Sequence, residues 1–169
     1  MIRFMRDLNH SRSPMRLAGC DYSTPGYYFL TIRRRSRVPA FASGQQTSVY
    51  LTPAGNCVLE AWDSLNQRFA ECKLDEFRIL HDHVHGIVQL VEPDGPNDHG
   101  NHTALYDIVR AFKSTSAVAI NRLVGRTGTP VWQRGYYERV IRNEQELAAV
   151  RQYVRFNHQK LRRAGKQLM

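Results

Sequence analysis

The sequence predicts an α+β domain of the split βαβ kind. In it an antiparallel sheet carries helices on one face, and one further helix is added at the C-terminal end. Three observations lead there. Strand-like and helix-like segments follow one another as strand, helix, strand, strand, helix, strand, helix. The segments are bounded by turn and capping residues, such as Pro25-Gly26, Thr52-Pro53 and the stretch from Gly125 to Pro130. The chain has 169 residues, 42% of them hydrophobic, which suits one globular unit with its own core.

Each element has a local reason. Tyr27–Ile32 is aromatic and β-branched and reads as a strand running into Arg33, Arg34 and Arg35. Residues 36–48 read as a loop, with a short strand near 49–51. Thr52 and Pro53 form a helix start, and Val58, Leu59, Trp62, Leu65 and Phe69 recur at helical spacing, predicting a helix over 53–71. Phe77–Leu80 and Val84–Val91 read as a hairpin around His81-Asp82-His83. Residues 92–101 are a loop rich in Pro, Gly, Asp and Asn. A second helix is predicted over 103–124, a strand over 136–141, and a third helix over 144–157 with Asn143 and Glu146 as capping pair. Residues 1–19 read as a basic arm, 20–157 as the domain and 158–169 as a basic tail.

Twenty-four Lys and Arg against 15 acids give a net charge of +9 and a pI near 9.9. That excess favours a polyanionic partner, because basic side chains replace counterions along a phosphate backbone. Cys20, Cys57 and Cys72 are far apart, with no CxxC, so neither a disulfide framework nor a Cys-rich zinc site is indicated. No apolar run reaches the roughly 20 residues of a membrane span, and the basic N-terminus lacks a secretory apolar stretch. A reduced, soluble, cytoplasmic protein is the expectation.

Two segments carry chemistry. In His81-Asp82-His83-Val84-His85-Gly86-Ile87, strand alternation puts His83 and His85 on one face and Val84 on the other. Two imidazoles so placed can meet one metal ion, with Val84 anchoring the strand behind them. His81 joins that face if the strand extends so far. One histidine on a strand is commonly just a polar face; three in five residues are harder to dismiss. In Tyr153-Val154-Arg155-Phe156-Asn157, positions 153 and 157 share one helix face, while Leu147, Val150 and Val154 form the stripe that docks the helix. A phenol with a pKa of about 10 is a weak nucleophile at neutral pH. A divalent cation on the scissile phosphate offsets that weakness. The Asn157 amide could complete a site begun by the two histidines.

With these motifs the chain resembles the REP-associated tyrosine transposases, within the HUH single-tyrosine transposase superfamily. The resemblance runs from Arg16-Leu17 and Asp21-Tyr22 through Tyr28-Phe29-Leu30-Thr31 and Asp75-Glu76-Phe77 to His83-Val84-His85-Gly86-Ile87-Val88. It continues through Phe112-Lys113-Ser114, Val131 to Tyr137 and Val140 to Asn143, and ends at Tyr153 to Asn157. It implies a ferredoxin-like core, His83, His85 and Asn157 as metal ligands for Mg²⁺ or Mn²⁺, and Tyr153 as nucleophile. It implies cleavage of single-stranded DNA to a 5′-phosphotyrosine and a free 3′-OH, reversible by another strand, at hairpins of repetitive palindromes. Relatives include monomers and homodimers. The family usually has Pro-Asn before the His-x-His and Pro after the Asn. Here His81-Asp82 and His158 stand in those places, and either His81 or His158 is a possible extra ligand.

For DNA contact the sequence offers Arg33, Arg34, Arg35, Lys113, Arg134, Arg139 and Arg142 for phosphates. Trp132, Tyr136 and Tyr137 offer faces for unpaired bases, although one of the two tyrosines is expected in the core. Two other readings stand beside this one. The His81–His85 pattern superficially resembles histidine-triad nucleotide hydrolases, but Asp82 occupies a position that motif fills with an apolar residue. A domesticated DNA-binding protein that no longer cuts would share the basic surface and the fold.

Overall fold

The computed structural model describes residues 24–44, 49–92 and 103–156; the predicted basic arm, the basic tail and nearly all of the 92–101 loop lie outside them. The elements in order are β1 (Gly26–Arg33), β2 (Ala42–Ser43), β3 (Tyr50–Leu51), α1 (Pro53–Asp63), α2 (Leu65–Arg68), β4 (Cys72–Ile79), β5 (His83–Leu90), α3 (Leu105–Leu123), β6 (Tyr137–Ile141) and α4 (Glu144–Phe156). The main sheet has the order β4-β5-β1-β6, with every neighbouring pair antiparallel. β2 and β3 form a separate small hairpin. The two central strands are those that precede α1 and α3, which is the split βαβ arrangement with its ferredoxin-like strand order.

Local signals explain most boundaries. The Thr52 hydroxyl accepts the Gly55 N–H at 3.1 Å and so caps α1, with Pro53 in the first turn. The predicted helix over 53–71 breaks at Ser64, whose hydroxyl bonds the Ala61 carbonyl at 2.9 Å in competition with the backbone ladder. β4 starts five residues before the predicted Phe77, at Cys72. Its pairing with β5 shifts register between Leu74 and Phe77, so Asp75 and Glu76 interrupt the period of two by which a strand is recognised. At the start of α4, Asn143 accepts the Glu146 N–H at 2.8 Å, and the Glu146 carboxylate reaches back to the Arg142 N–H at 2.9 Å.

Strand alternation divides the core in two. Tyr28, Leu30 and Ile32 of β1 and Val84, Val88 and Leu90 of β5 face α1 and α3, meeting Val58, Trp62, Ile108 and Phe112. The opposite face carries Phe29, Ile87 and Ile141, which pack against Leu147, Val150 and Val154 of α4. The helix pair and the added helix therefore lie on opposite sides of the sheet. Burying each of these aliphatic side chains is worth about 1.5–3 kcal/mol before entropy is counted. Ion pairs then fix the azimuth of α4: Arg151 with Asp75 at 2.5 Å, Arg155 with Glu76, and Glu146 with Arg139 of β6 at 2.5 Å. No helix among the described residues is long and apolar enough to cross a membrane.

Candidate active site

The face of the sheet under α4 gathers the predicted chemistry. Antiparallel pairing sets Thr31 opposite His85 and Arg33 opposite His83, and alternation turns all four toward α4. Val84, buried as predicted, points into the other core. The His83 and His85 Nε2 atoms stand 3.3 Å apart. Behind them, the His83 Nδ1 lies 2.6 Å from the Asp82 carboxylate and the His85 Nδ1 lies 2.9 Å from the Thr31 hydroxyl. Arg33 sits 3.4 Å from the other Asp82 oxygen.

Burial decides the charge states. It pushes the His85 pKa down to about 3, and the neighbouring His83 and Arg33 act in the same direction. Burial also lowers the His83 pKa, against the pull of Asp82. For Asp82, burial disfavours the carboxylate, but the bond to His83 and the charges of Arg33 and Arg34 outweigh it and hold the group below the usual carboxylate range. At neutral pH the site holds two neutral imidazoles and one ionised carboxylate. Neutral imidazole is the form that binds metal.

Tyr153 reaches this pair from above. Its ring centroid is 5.3 Å from that of His85, at an interplanar angle of 56°. The edge of Phe29, at 6.0 Å between centroids, supports it from the sheet. The late-helix phenol and the mid-strand imidazoles thus occupy one side of the molecule. Tyr153 is partly buried and packs at the border of the smaller cluster.

The donor set fits a divalent cation. Two neutral ring nitrogens converge, and each ring is held from behind by a polar partner on its other nitrogen, as metal-binding histidines usually are. Among the described residues no group of three or more His, Cys, Asp or Glu side chains forms a metal cluster, so two imidazoles alone do not complete the coordination. Asn157 and His158 lie outside the described residues.

The remaining predicted residues divide. β5 begins at His83, so His81 does not extend the strand face; its Nδ1 lies 3.2 Å from the Ala42 carbonyl in the turn before the strand. Arg33 borders the histidines. Arg134 and Arg142 are exposed. Arg34 is engaged by its own chain, donating to the carbonyls of Arg35, Ser36, Val38 and His81. Lys113 donates to three successive carbonyls, those of Gln133, Arg134 and Gly135, and its ammonium lies 5.2 Å from the Tyr136 ring centroid. Arg139 is paired with Glu146.

Trp132 is a correction. The sequence offers it as a stacking face, but it is 6% exposed, lies between Phe41 and Phe112 at 5.0 and 5.3 Å, and donates its indole N–H to Ser116. A large aromatic whose one polar atom finds a buried partner is a core residue. Tyr136 and Tyr137 are both partly buried. Sequence reasoning missed Asp82 and Thr31 as partners of the histidines. Asp82 had a local signal, since it adjoins His83. Thr31 had none, because its approach to His85 depends on a pairing 54 residues apart.

The chain has clear relatives. The family described as "Transposase IS200 like" matches residues 58–157, more than half of the chain, including both histidines and Tyr153. An uncharacterized protein of Haemophilus influenzae is 29% identical over 163 residues, covering 88% of each chain. Among solved structures, a REP-associated tyrosine transposase bound to a REP hairpin is similar, with a TM-score of 0.61 at 20% identity; the match covers 84% of this chain and 72% of the other. At that identity the likeness speaks for the fold.

Proposed function

The chain belongs to the IS200-like transposase family of DNA cleavage and transfer enzymes, and from that premise we propose that it cuts and rejoins single-stranded DNA through Tyr153. The observation that carries this reading is the approach of the Tyr153 ring to within 5.3 Å of His85, whose Nε2 converges with that of His83. The family match leaves the nucleotide-hydrolase reading without support, since a hydrolase of that kind needs no tyrosine beside its histidines.

In the proposed reaction the Tyr153 oxygen attacks the phosphorus of one phosphodiester in line. The bond from phosphorus to the 3′ oxygen breaks as the bond to tyrosine forms, giving a 5′-phosphotyrosine and a free 3′-OH. Because one ester replaces another, the link can be reversed by an incoming 3′-OH without a nucleotide cofactor. His83 and His85, with Asn157, are the residues that would hold a divalent cation. Bound there, Mg²⁺ or Mn²⁺ supplies positive charge to the scissile phosphate. Two nitrogen donors favour Mn²⁺ of that pair in affinity, as Mg²⁺ prefers an all-oxygen shell.

The substrate we propose is a single strand beside a hairpin; the structural relative is bound to a REP hairpin. Arg33, next to the histidines, and the exposed Arg134 and Arg142 are the proposed phosphate contacts. The test uses hairpin-bearing single-stranded DNA labelled at its 3′ end, with Mn²⁺, followed by denaturing electrophoresis. Label should stay on the wild-type protein, and Tyr153→Phe should lose it while binding the same DNA. Label retained by the Phe variant would remove Tyr153 as nucleophile. Wild-type binding with no retained label would mark a non-cutting DNA-binding protein.

A further inference from the structure

Tyr153 can meet a phosphate beside the histidines only if α4 is held at one rotation about its own axis. The stripe of Leu147, Val150 and Val154 docks the helix, but apolar contact has no direction and tolerates a roll. At 3.6 residues per turn, Arg151 and Arg155 share a face one turn apart, and Tyr153 lies about 160° round the helix from each. The stripe falls between them, with the arginines on one flank and the tyrosine on the other. Side chains end about 5–6 Å from a helix axis, so a roll of about 20° carries the Tyr153 ring about 2 Å. A misplacement of about 1 Å can slow a reaction about 100-fold. The capping pair of Asn143 and Glu146 secures the start of α4, whereas Phe156 at its described end is exposed.

β4 supplies the direction that the stripe lacks. Successive residues of a regular strand point to opposite faces, so two adjacent carboxylates would not both meet one helix. The register shift between Leu74 and Phe77 lifts that constraint, and Asp75 and Glu76 both reach α4. Asp75 accepts Arg151 through both carboxylate oxygens, at 3.0, 3.1 and 2.5 Å, and its own position is fixed by the Glu76 N–H at 2.7 Å. Glu76 accepts Arg155 one turn further on. The Arg151 guanidinium also lies 5.7 Å from the Tyr27 ring centroid. A forked guanidinium on two carboxylate oxygens fixes orientation as well as distance. Partly exposed pairs of this kind add little stability, so orientation is their main contribution. We propose that Asp75 and Glu76 are positioning residues for the cleavage reaction: from the irregularity in β4 they hold α4 against rolling, through Arg151 and Arg155, and so keep Tyr153 over His85. The inference rests on the reading of Tyr153 as the nucleophile.

The acids are the residues to change, because a carboxylate repels phosphate and its loss removes no DNA contact, whereas the arginines can bind DNA themselves. The experiment compares full-length wild type with the double variant Asp75→Asn, Glu76→Gln on hairpin-bearing single-stranded DNA labelled at its 3′ end, with Mn²⁺. At saturating DNA the single-turnover rate of adduct formation should fall roughly 10–100-fold, while DNA affinity stays the same or tightens. Reversing one pair, Asp75→Arg with Arg151→Asp, should run faster than Asp75→Arg alone. A second readout needs no cleavage: in isotope-labelled protein, nuclear Overhauser contacts between the Tyr153 and Phe29 rings should be present in wild type and weakened in the double variant. A folded double variant with the wild-type rate, a reversed pair no faster than Asp75→Arg, or ring contacts unchanged in the double variant would overturn the proposal. If wild type itself forms no adduct, the nucleophile reading fails, and the ring contacts alone then decide whether the carboxylates hold the helix. Should the double variant not fold, Asp75→Asn and Glu76→Gln are read singly in the same way.

Discussion

Gly86 follows His85 in β5, and replacing it with alanine tests how tightly that strand is held. Its side of β5 faces α1. A Cβ built there would lie 2.4 Å from Trp62 Cη2 and 3.0 Å from Cζ2 and Cζ3. Carbon atoms in contact prefer about 3.5–4.0 Å, so roughly 1 Å must be recovered by movement. The indole cannot easily give way, as it is stacked on Phe77 at 4.1 Å and 6° and meets the edge of Phe112 at 5.7 Å. Overpacking of this kind costs about 1–3 kcal/mol. The reduced backbone freedom of alanine in the unfolded chain returns about 0.5–1 kcal/mol. A net loss of about 1–2 kcal/mol follows, equivalent to a fall in Tm of about 2–8 °C for a domain of this size. Thermal unfolding by circular dichroism measures it. Combined with Trp62→Leu, the alanine should become less harmful, because it then meets space; the coupling should exceed about 0.5 kcal/mol. A Gly86→Ala protein melting at or above the wild-type temperature would refute the close-packing argument.

Two other predictions concern the supports of the site. Burial works against the Asp75 carboxylate, but its bonds to Arg151 and the Glu76 N–H, with the nearby Arg155, hold its pKa below the ordinary value. A carboxylate with a depressed folded-state pKa stabilises above the unfolded value of about 3.9, and that stabilisation is lost as pH falls through the folded value. Asp75→Asn should therefore cost about 1 kcal/mol at pH 7, the upper end for a partly exposed pair. In urea titrations the gap from wild type should close below about pH 4; a gap unchanged at pH 3 would contradict the pairing. Lys113→Met should leave the carbonyls of Gln133, Arg134 and Gly135 without their shared donor and speed hydrogen exchange across residues 131–137. Unaltered exchange there would show that the lysine does not organise the loop.

The local code accounts for much of the fold. Thr52-Pro53 and Asn143 mark helix starts where the structure has them, and YYFLTI forms most of one of the two central strands. The face shared by His83 and His85, and the docking stripe of the tyrosine helix, follow from periods of two and 3.6 that the sequence prints directly. Where the local pattern was interrupted, reading failed: the Asp75-Glu76 irregularity hid the first half of β4, and Ser64 broke a helix that looked continuous.

By itself, then, the sequence determined the order of elements, the pairing of imidazoles on one strand face, and the phenol on a late amphipathic helix. Tertiary structure alone decided that α4 crosses to the face of the sheet opposite α1 and α3, which brings Tyr153 over His85. It alone gave Thr31 to His85, moved Trp132 into the core, and turned Arg34 and Lys113 into supports for loops. The physical reason is range. Periodicity and capping are set by neighbours a turn or a residue away, whereas which face a helix covers and which donor meets which acceptor depend on strand register between segments far apart in the chain.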